Sequence, residues 1–492
     1  MSEKRPNVLI IFTDQQRADT IGALGNPIIR TPNLDRLCAE GVAFNSAYSP
    51  SPVCVPARCS LMYGQYVGKT KCYDNSSPMP LDGRPSFVGM LTEAGMRTHG
   101  IGKMHFSPDL QALRGFQTRE RQEEFTDKIE NDDYQRWLCE NGFGDMCAPH
   151  GVRGEMYYVP QPSQLPPRFH PAQWVGERTT AFIKENGKKT EPWLLFSSFI
   201  HPHPPFTPPS PWHDLYPATM MPAPKLPPHH ESFWTWINRH QNRYKYRDQG
   251  WDLNFLRCLK AYYYACISFV DYQVGRILAA LEETGRLDDT LIIFASDHGE
   301  FLGDYGCFGK RNMLDPAARI PLLIRHPNRF AAGRVCRKPV NLVDVAPTVM
   351  AACGLQPRPD WDGSDLADIA SGKIERQAIF SQFQKPEKAI YMALTEEWKY
   401  FYSAADDAAW LFDRRHDPEE THNLAGTGWA ADAEKTMRQG VQNHLRQLGE
   451  TGGLDGEKWK KMPPFKLPQN PDAGLGRRQQ AWAKHDLPGY AF

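Results

Sequence analysis

The sequence predicts an α/β protein: a large, mixed, mostly parallel sheet sandwiched by helices, then a smaller C-terminal α+β subdomain on an antiparallel sheet. Three observations carry that expectation. Short apolar runs alternate with helical patterns through the first three quarters of the chain, as parallel strands covered on both faces require. Around residues 355–375 the composition turns polar and rich in Pro, Gly and Asp, which marks a boundary, and shorter strands follow it. At 492 residues the chain also exceeds one ordinary domain.

The clearest strands are expected at residues 8–12, 193–199, 291–295 and 321–324, each a continuous apolar stretch. Between two of them, residues 262–284 carry Ile267, Val270, Val274, Ile277, Leu278 and Leu281 at helical spacing and stop at Gly285, so this helix should face the core. Residues 202–231 are rich in proline and are expected to form a long surface excursion near the site. Past the boundary, residues 389–394, 399–403 and 410–413 read as short antiparallel strands, and 430–448 as one helix. The expected division is therefore 1–370, 371–450, and a weakly patterned tail at 451–492 suited to contact with a second subunit in a homo-oligomer.

Lysine plus arginine and aspartate plus glutamate both number 57, and no basic block stands out, which argues against nucleic acid and membrane surfaces as partners. Eleven cysteines, without paired zinc spacing, point to a reducing compartment rather than a disulfide framework. Residues 1–7 run straight into a strand too short to span a membrane and offer no small-residue cleavage site, so a cytoplasmic protein is expected.

The most informative run is Cys54-Val55-Pro56-Ala57-Arg58. Proline suits the first turn of a helix, so a helix beginning near Pro56 and running to Gly64 puts Cys54 at its entrance, among free N–H groups that attract anions. Arg58, four residues on, adds a guanidinium to the same early turn. Asp14 follows the first strand and Asp297-His298 follows the strand at 291–295. Both acids should therefore lie at carboxyl ends of strands, where open α/β sheets place ligands. With the neutral oxygen of Gln15, this set suits a divalent cation, Ca²⁺ first and Mn²⁺ as a substitute. Lys103 and His105 share a face if their segment is extended; His201 and His203 follow the strand Trp193–Phe199, and Lys310 comes shortly after the aspartate–histidine pair.

Taken together, Asp14-Gln15, Cys54-x-Pro-x-Arg58, Lys103-x-His105, Pro202-His203-x-Pro205, Asp297-His298 and Lys310 resemble the type I sulfatases of the alkaline phosphatase superfamily over about residues 6–425. Within that group Tyr73-Asp74-Asn75 and the His-Pro-His segment look most like choline sulfatases and arylsulfatases. The resemblance implies hydrolysis of a small soluble sulfate monoester through a covalent sulfo-enzyme intermediate. Cys54 would be oxidised to formylglycine by a formylglycine-generating enzyme, and its hydrate would be both nucleophile and metal ligand. Asp14, Gln15, Asp297 and His298 would complete the coordination. Arg58 and Lys103 would hold the hydrate and sulfate oxygens, His105 would serve the second hydroxyl, and His203 and Lys310 would face the leaving oxygen, with Asn75 and His201 near the substrate. Many sulfatases have a second aspartate at the place of Gln15, asparagine at that of His298 and serine at that of Ala57. Glutamine and histidine there also resemble phosphonate monoester hydrolases and phosphodiesterases, the alternative reading.

Overall fold

The computed structural model describes residues 5–469 apart from 125, 127, 147, 154–155 and 246–251, so the end of the expected tail lies outside the described residues. Its strands are β1 (Asn7–Thr13), β2 (Val42–Phe44), β3 (Ala47–Tyr48), β4 (Arg97–Gly102), β5 (Thr118–Arg121), β6 (Trp193–Phe199), β7 (Thr290–Ser296), β8 (Leu322–Arg325), β9 (Arg334–Cys336), β10 (Val340–Asn341), β11 (Ile379–Phe383), β12 (Ile390–Leu394), β13 (Trp398–Ser403) and β14 (Ala408–Asp413), with a short hairpin after them. Eight form one sheet in the order β5-β4-β6-β1-β7-β8-β2-β9. Its first five strands run parallel, and β8 runs against both β7 and β2.

Every residue of β1, β6 and β7 is buried, because each face of the sheet meets a separate core. Val8, Ile10 and Phe12 point into one, shared with the helix α2 (Cys54–Tyr63) and the helix Val345–Ala352. Leu9 and Ile11 point into the other, shared with α1 (Pro32–Glu40) and the helices Pro171–Asn186 and Leu253–Glu283. The last of these begins well before residue 262, because Asp252 caps it by accepting from the Phe255 N–H at 2.9 Å. Among the described residues no helix is long and apolar enough to cross a membrane.

The proline-rich segment departs from expectation. Residues 201–209 are buried and only the part beyond them returns to the surface. Proline has no N–H, so burying such a segment leaves few donors to satisfy.

The C-terminal sheet, β11-β12-β13-β14, is antiparallel throughout. One face carries Tyr391, Ala393, Tyr400 and Leu411 against Met437, Val441 and Leu445 of the helix Ala431–Gln447. The other carries Met392, Leu394, Phe401 and Phe412 against Phe233, Tyr305 and Leu314 of the main unit. Lys399, fully buried, ties the two parts together by pairing with Asp315 at 2.8 Å and Glu420 at 2.5 Å.

Candidate active site

Strand register decides which side chains meet. β1 and β7 pair as far as Thr13 opposite Ser296, so Asp14 and Asp297 emerge next to one another at the carboxyl edge. β4 and β6 pair as far as Gly102 opposite Ser198, which brings Lys103 to the same edge. α2 enters there too, and its first residue is Cys54 itself, two positions ahead of the expected start at Pro56. Val53 provides no side-chain cap; instead Asn75 accepts from the Val55 N–H at 3.0 Å and satisfies one free donor of the helix start. Gly64 closes the helix in the left-handed region at φ 61°, donating back to Ser60.

The sulfur of Cys54 lies 3.0 Å from Lys310 Nζ, 3.4 Å from His298 Nε2 and 3.7 Å from Asp14 Oδ1. Arg58 bridges the two acids, its Nη2 3.1 Å from Asp14 and its Nε 3.1 Å from Asp297, while Nη1 donates to Lys103 O at 2.6 Å and Ser198 Oγ at 3.0 Å. Lys103 sits between carboxylates, 2.6 Å from Asp14 and in direct contact with Glu124. All of these groups are buried. Asn75, His105 and Tyr157 are half-exposed.

Burial alone would push the Cys54 thiol up, yet the charges of Lys310 and Lys103 hold it well below its ordinary value. Burial and Cys54 likewise work against ionised Asp14, but Lys103 and Lys310 keep it well below the usual carboxylate range. Asp297 goes the other way, pushed up to about 6 by burial and by the charge of Asp14. Burial and Lys310 press His203 well below the usual imidazole value. The site therefore holds two crowded acids, one of them already burdened by its neighbour.

That crowding is what a cation relieves, and the donor set fits one. The ligand atoms of Asp14, Cys54, Asp297 and His298 all lie within 4.8 Å of one another. His298 Nδ1 faces the carbonyl of Gly299 at 3.0 Å, which assigns the proton to Nδ1 and leaves the Nε2 lone pair directed at the cluster. Gln15, at φ 68°, turns its Oε1 to within 2.8 Å of Lys310 Nζ beside Cys54. Two carboxylates, an amide oxygen and one imidazole suit a hard to intermediate divalent ion.

His203 also reaches this group: its Nδ1 is 2.8 Å from Pro204 O and its Nε2 is 3.5 Å from Glu124. β4 ends before Lys103, and His105 lies in the left-handed region at φ 52°, so the two do not share an extended face; turn geometry brings His105 toward Cys54 instead. His201 stands apart. Its Nε2 is 3.1 Å from Thr207 Oγ1 and its ring packs on His170 at 4.6 Å, behind the cluster rather than within it. The buried turn at 201–209 thus sets His201 against Thr207 and His170 and His203 against Glu124.

Several site residues carried no readable signal. Glu123 accepts from the Met104 and His105 N–H groups at 3.1 Å each, fixing the segment after β4. Glu124 meets Lys103 and pairs with Arg153 at 3.2 Å. Glu300 and Tyr158 hold the far end of Gln15. Glu123 and Glu124 sit in a polar stretch that reads as surface, and Glu300 had only its closeness to His298 to mark it.

A doubly covered α/β sheet whose carboxyl edge gathers a cysteine at a helix start, paired acids and several fixed cations has the make-up of a hydrolase of tetrahedral oxyanion esters. The family model "Sulfatase" matches residues 6–355, and "N-sulphoglucosamine sulphohydrolase, C-terminal" matches 303–447. The chain belongs to the sulfatase family, hydrolases of sulfuric esters within the alkaline phosphatase superfamily. It is 27% identical over 487 residues to an arylsulfatase of Clostridium perfringens, covering 94% of this chain and 98% of the relative. It is 30% identical to a choline-sulfatase of Rhizobium meliloti, with 86% and 83% covered. Its fold matches the crystal structure of a phosphonate monoester hydrolase of Agrobacterium radiobacter with a TM-score of 0.76 and 26% identity, over 91% of this chain and 96% of that one.

Proposed function

We propose that the protein is a formylglycine-dependent sulfatase that cleaves a small soluble sulfate monoester, in the cytoplasm, after a formylglycine-generating enzyme has oxidised Cys54. The observation that carries this reading is the convergence of Cys54 with Asp14, Asp297, His298 and Lys310, the last of them 256 residues from Cys54 in the chain. Cys54 Sγ marks the place of the hydrate's hydroxyls.

An enzyme of this kind removes on the order of 15–20 kcal/mol of barrier, and charge placement must supply most of it. A divalent ion, Ca²⁺ or Mn²⁺, held by Asp14, Gln15, Asp297 and His298, would supply the charge that lowers the pKa of a hydroxyl on residue 54. Arg58 and Lys103 would hold that hydroxyl and the sulfate oxygens. One hydroxyl oxygen attacks sulfur, the S–O bond to the alcohol breaks, and Lys310 delivers a proton to the departing oxygen, with uncharged His203 facing the same oxygen. His105 then takes the proton of the second hydroxyl; the C–O bond to sulfate breaks with its electron pair, and the aldehyde returns for rehydration. Cys54→Ser supplies only one hydroxyl, so it should be sulfated once and stall. Sustained turnover by that variant would end the proposal.

Gln15 and His298 favour one second reading, a phosphonate monoester hydrolase or phosphodiesterase using the same nucleophile, in keeping with the fold likeness. Parallel assays with an aryl sulfate and an aryl phosphonate separate the two by their kcat/KM ratio.

A further inference from the structure

We infer that Glu300, helped by Tyr158, is a positioning residue that decides which end of the Gln15 amide faces the ion site and sets the loop bearing Lys310. The inference rests on the proposal that Gln15 Oε1 is an ion ligand.

A glutamine in a metal site carries a problem that an aspartate does not. One end of its amide accepts and can ligate a cation, while the other only donates and would repel it. Nothing within the side chain selects between them. Here the selection is external. Gln15 Nε2 donates to Glu300 Oε2 and lies 3.5 Å from the Tyr158 hydroxyl, which itself donates to Glu300 Oε2 at 2.7 Å. Glu300 Oε1 is engaged as well, accepting from Leu302 N–H at 3.1 Å and Gly309 N–H at 2.6 Å.

Four donors thus converge on one fully buried carboxylate, leaving it only the role of acceptor. The amide end turned to it must be the NH₂, so Oε1 is turned toward Lys310 Nζ at 2.8 Å and the cluster. The backbone of Gln15 is pinned independently, its N–H donating to Asp297 at 3.0 Å and its carbonyl accepting from Tyr263 at 2.7 Å. Only the amide's rotation is left for Glu300 to fix. Because Gly309 precedes Lys310, the same carboxylate also sets where the ammonium enters the site. Outer-shell groups of this kind are worth about 10–100-fold in metal affinity.

The test is a calorimetric titration of Ca²⁺ and Mn²⁺ into the mature protein and three variants, with thermal unfolding in chelator to confirm that each is folded. Glu300→Gln should weaken ion binding by about 10–100-fold. Gln15→Glu sets two carboxylates against each other in the core and should weaken it too. The double variant Gln15→Glu/Glu300→Gln exchanges amide and carboxylate while keeping donor facing acceptor, and should regain the parent affinity or better. A merely structural role for Glu300 would not be repaired by that exchange. Tyr158→Phe, a milder change, should cost a few-fold by the same argument. Equal affinity in the parent and a folded Glu300→Gln, or a double variant no better than the worse single one, overturns the inference alone. A parent that binds neither ion overturns the proposed function with it.

Discussion

Lys310 Nζ reaches the sulfur of Cys54 across 3.0 Å and the side-chain amide oxygen of Gln15 across 2.8 Å. Burial works against that ammonium, but Cys54 and Asp14 hold its pKa above the ordinary value. It therefore stays charged beside Cys54, where the proposed nucleophile would form. Lys310→Ala should lower kcat by about 10²–10⁴ on an alkyl sulfate, whose alcohol needs a proton. The loss should be much smaller on nitrophenyl sulfate, whose phenolate leaves unaided. Steady-state rates on both esters check this; an equal loss would deny Lys310 a part in leaving-group departure.

Arg58 bridges Asp14 and Asp297 with a permanent positive charge, 3.1 Å from each. Its guanidinium also stacks over Phe12 at 5.1 Å, so replacement loses packing as well as charge. Arg58→Met should destabilise the ion-free protein by about 3–5 kcal/mol, the usual cost of stranding a buried partner. Urea unfolding in chelator gives the value. Added Ca²⁺ should recover part of it, since the ion would offset the same acids; a variant as stable as the parent would refute this view of the pair.

His444 provides a pH dependence remote from the site. Its ring stacks on Phe380 at 3.9 Å, and burial, with Lys69 nearby, pushes its pKa down to about 3 from 6.5. The unfolded chain gains a proton there below about pH 6.5 while the folded one declines it, so stability falls as the pH falls. The slope should be about 1.4 kcal/mol per pH unit between those values. His444→Phe keeps the stacking and should flatten that part of the stability curve. Denaturant unfolding of both proteins from pH 7 to 4 decides it; parallel curves would contradict the assignment.

Most of the residues gathered at the carboxyl edge were legible in the sequence because the relevant strands are buried on both faces. Residues 8–12 and 291–295 are apolar without interruption, so the acids that follow them stand out. Pro56 and Gly64 bracketed α2 for a similarly local reason. Direction and length were harder to see: β8 is as apolar as its neighbours but runs antiparallel, and β2, β9 and β10 are too short to show alternation. Glu124 and Glu300 were hidden because a single buried acid has no period; only the tertiary fold brings donors to it. His201 and His203 share one motif, and a backbone turn that no spacing encodes gives them different partners.

The most direct measurement is the mass of the peptide containing residue 54, taken on the purified protein in parallel with its rate on a sulfate ester before and after chelation. Conversion of the thiol to an aldehyde removes about 18 Da, as sulfur and hydrogen give way to oxygen. The expected result is that activity scales with the converted fraction and falls when the ion is withdrawn. Full activity from protein whose residue 54 retains its thiol, undiminished by chelator, would contradict the account.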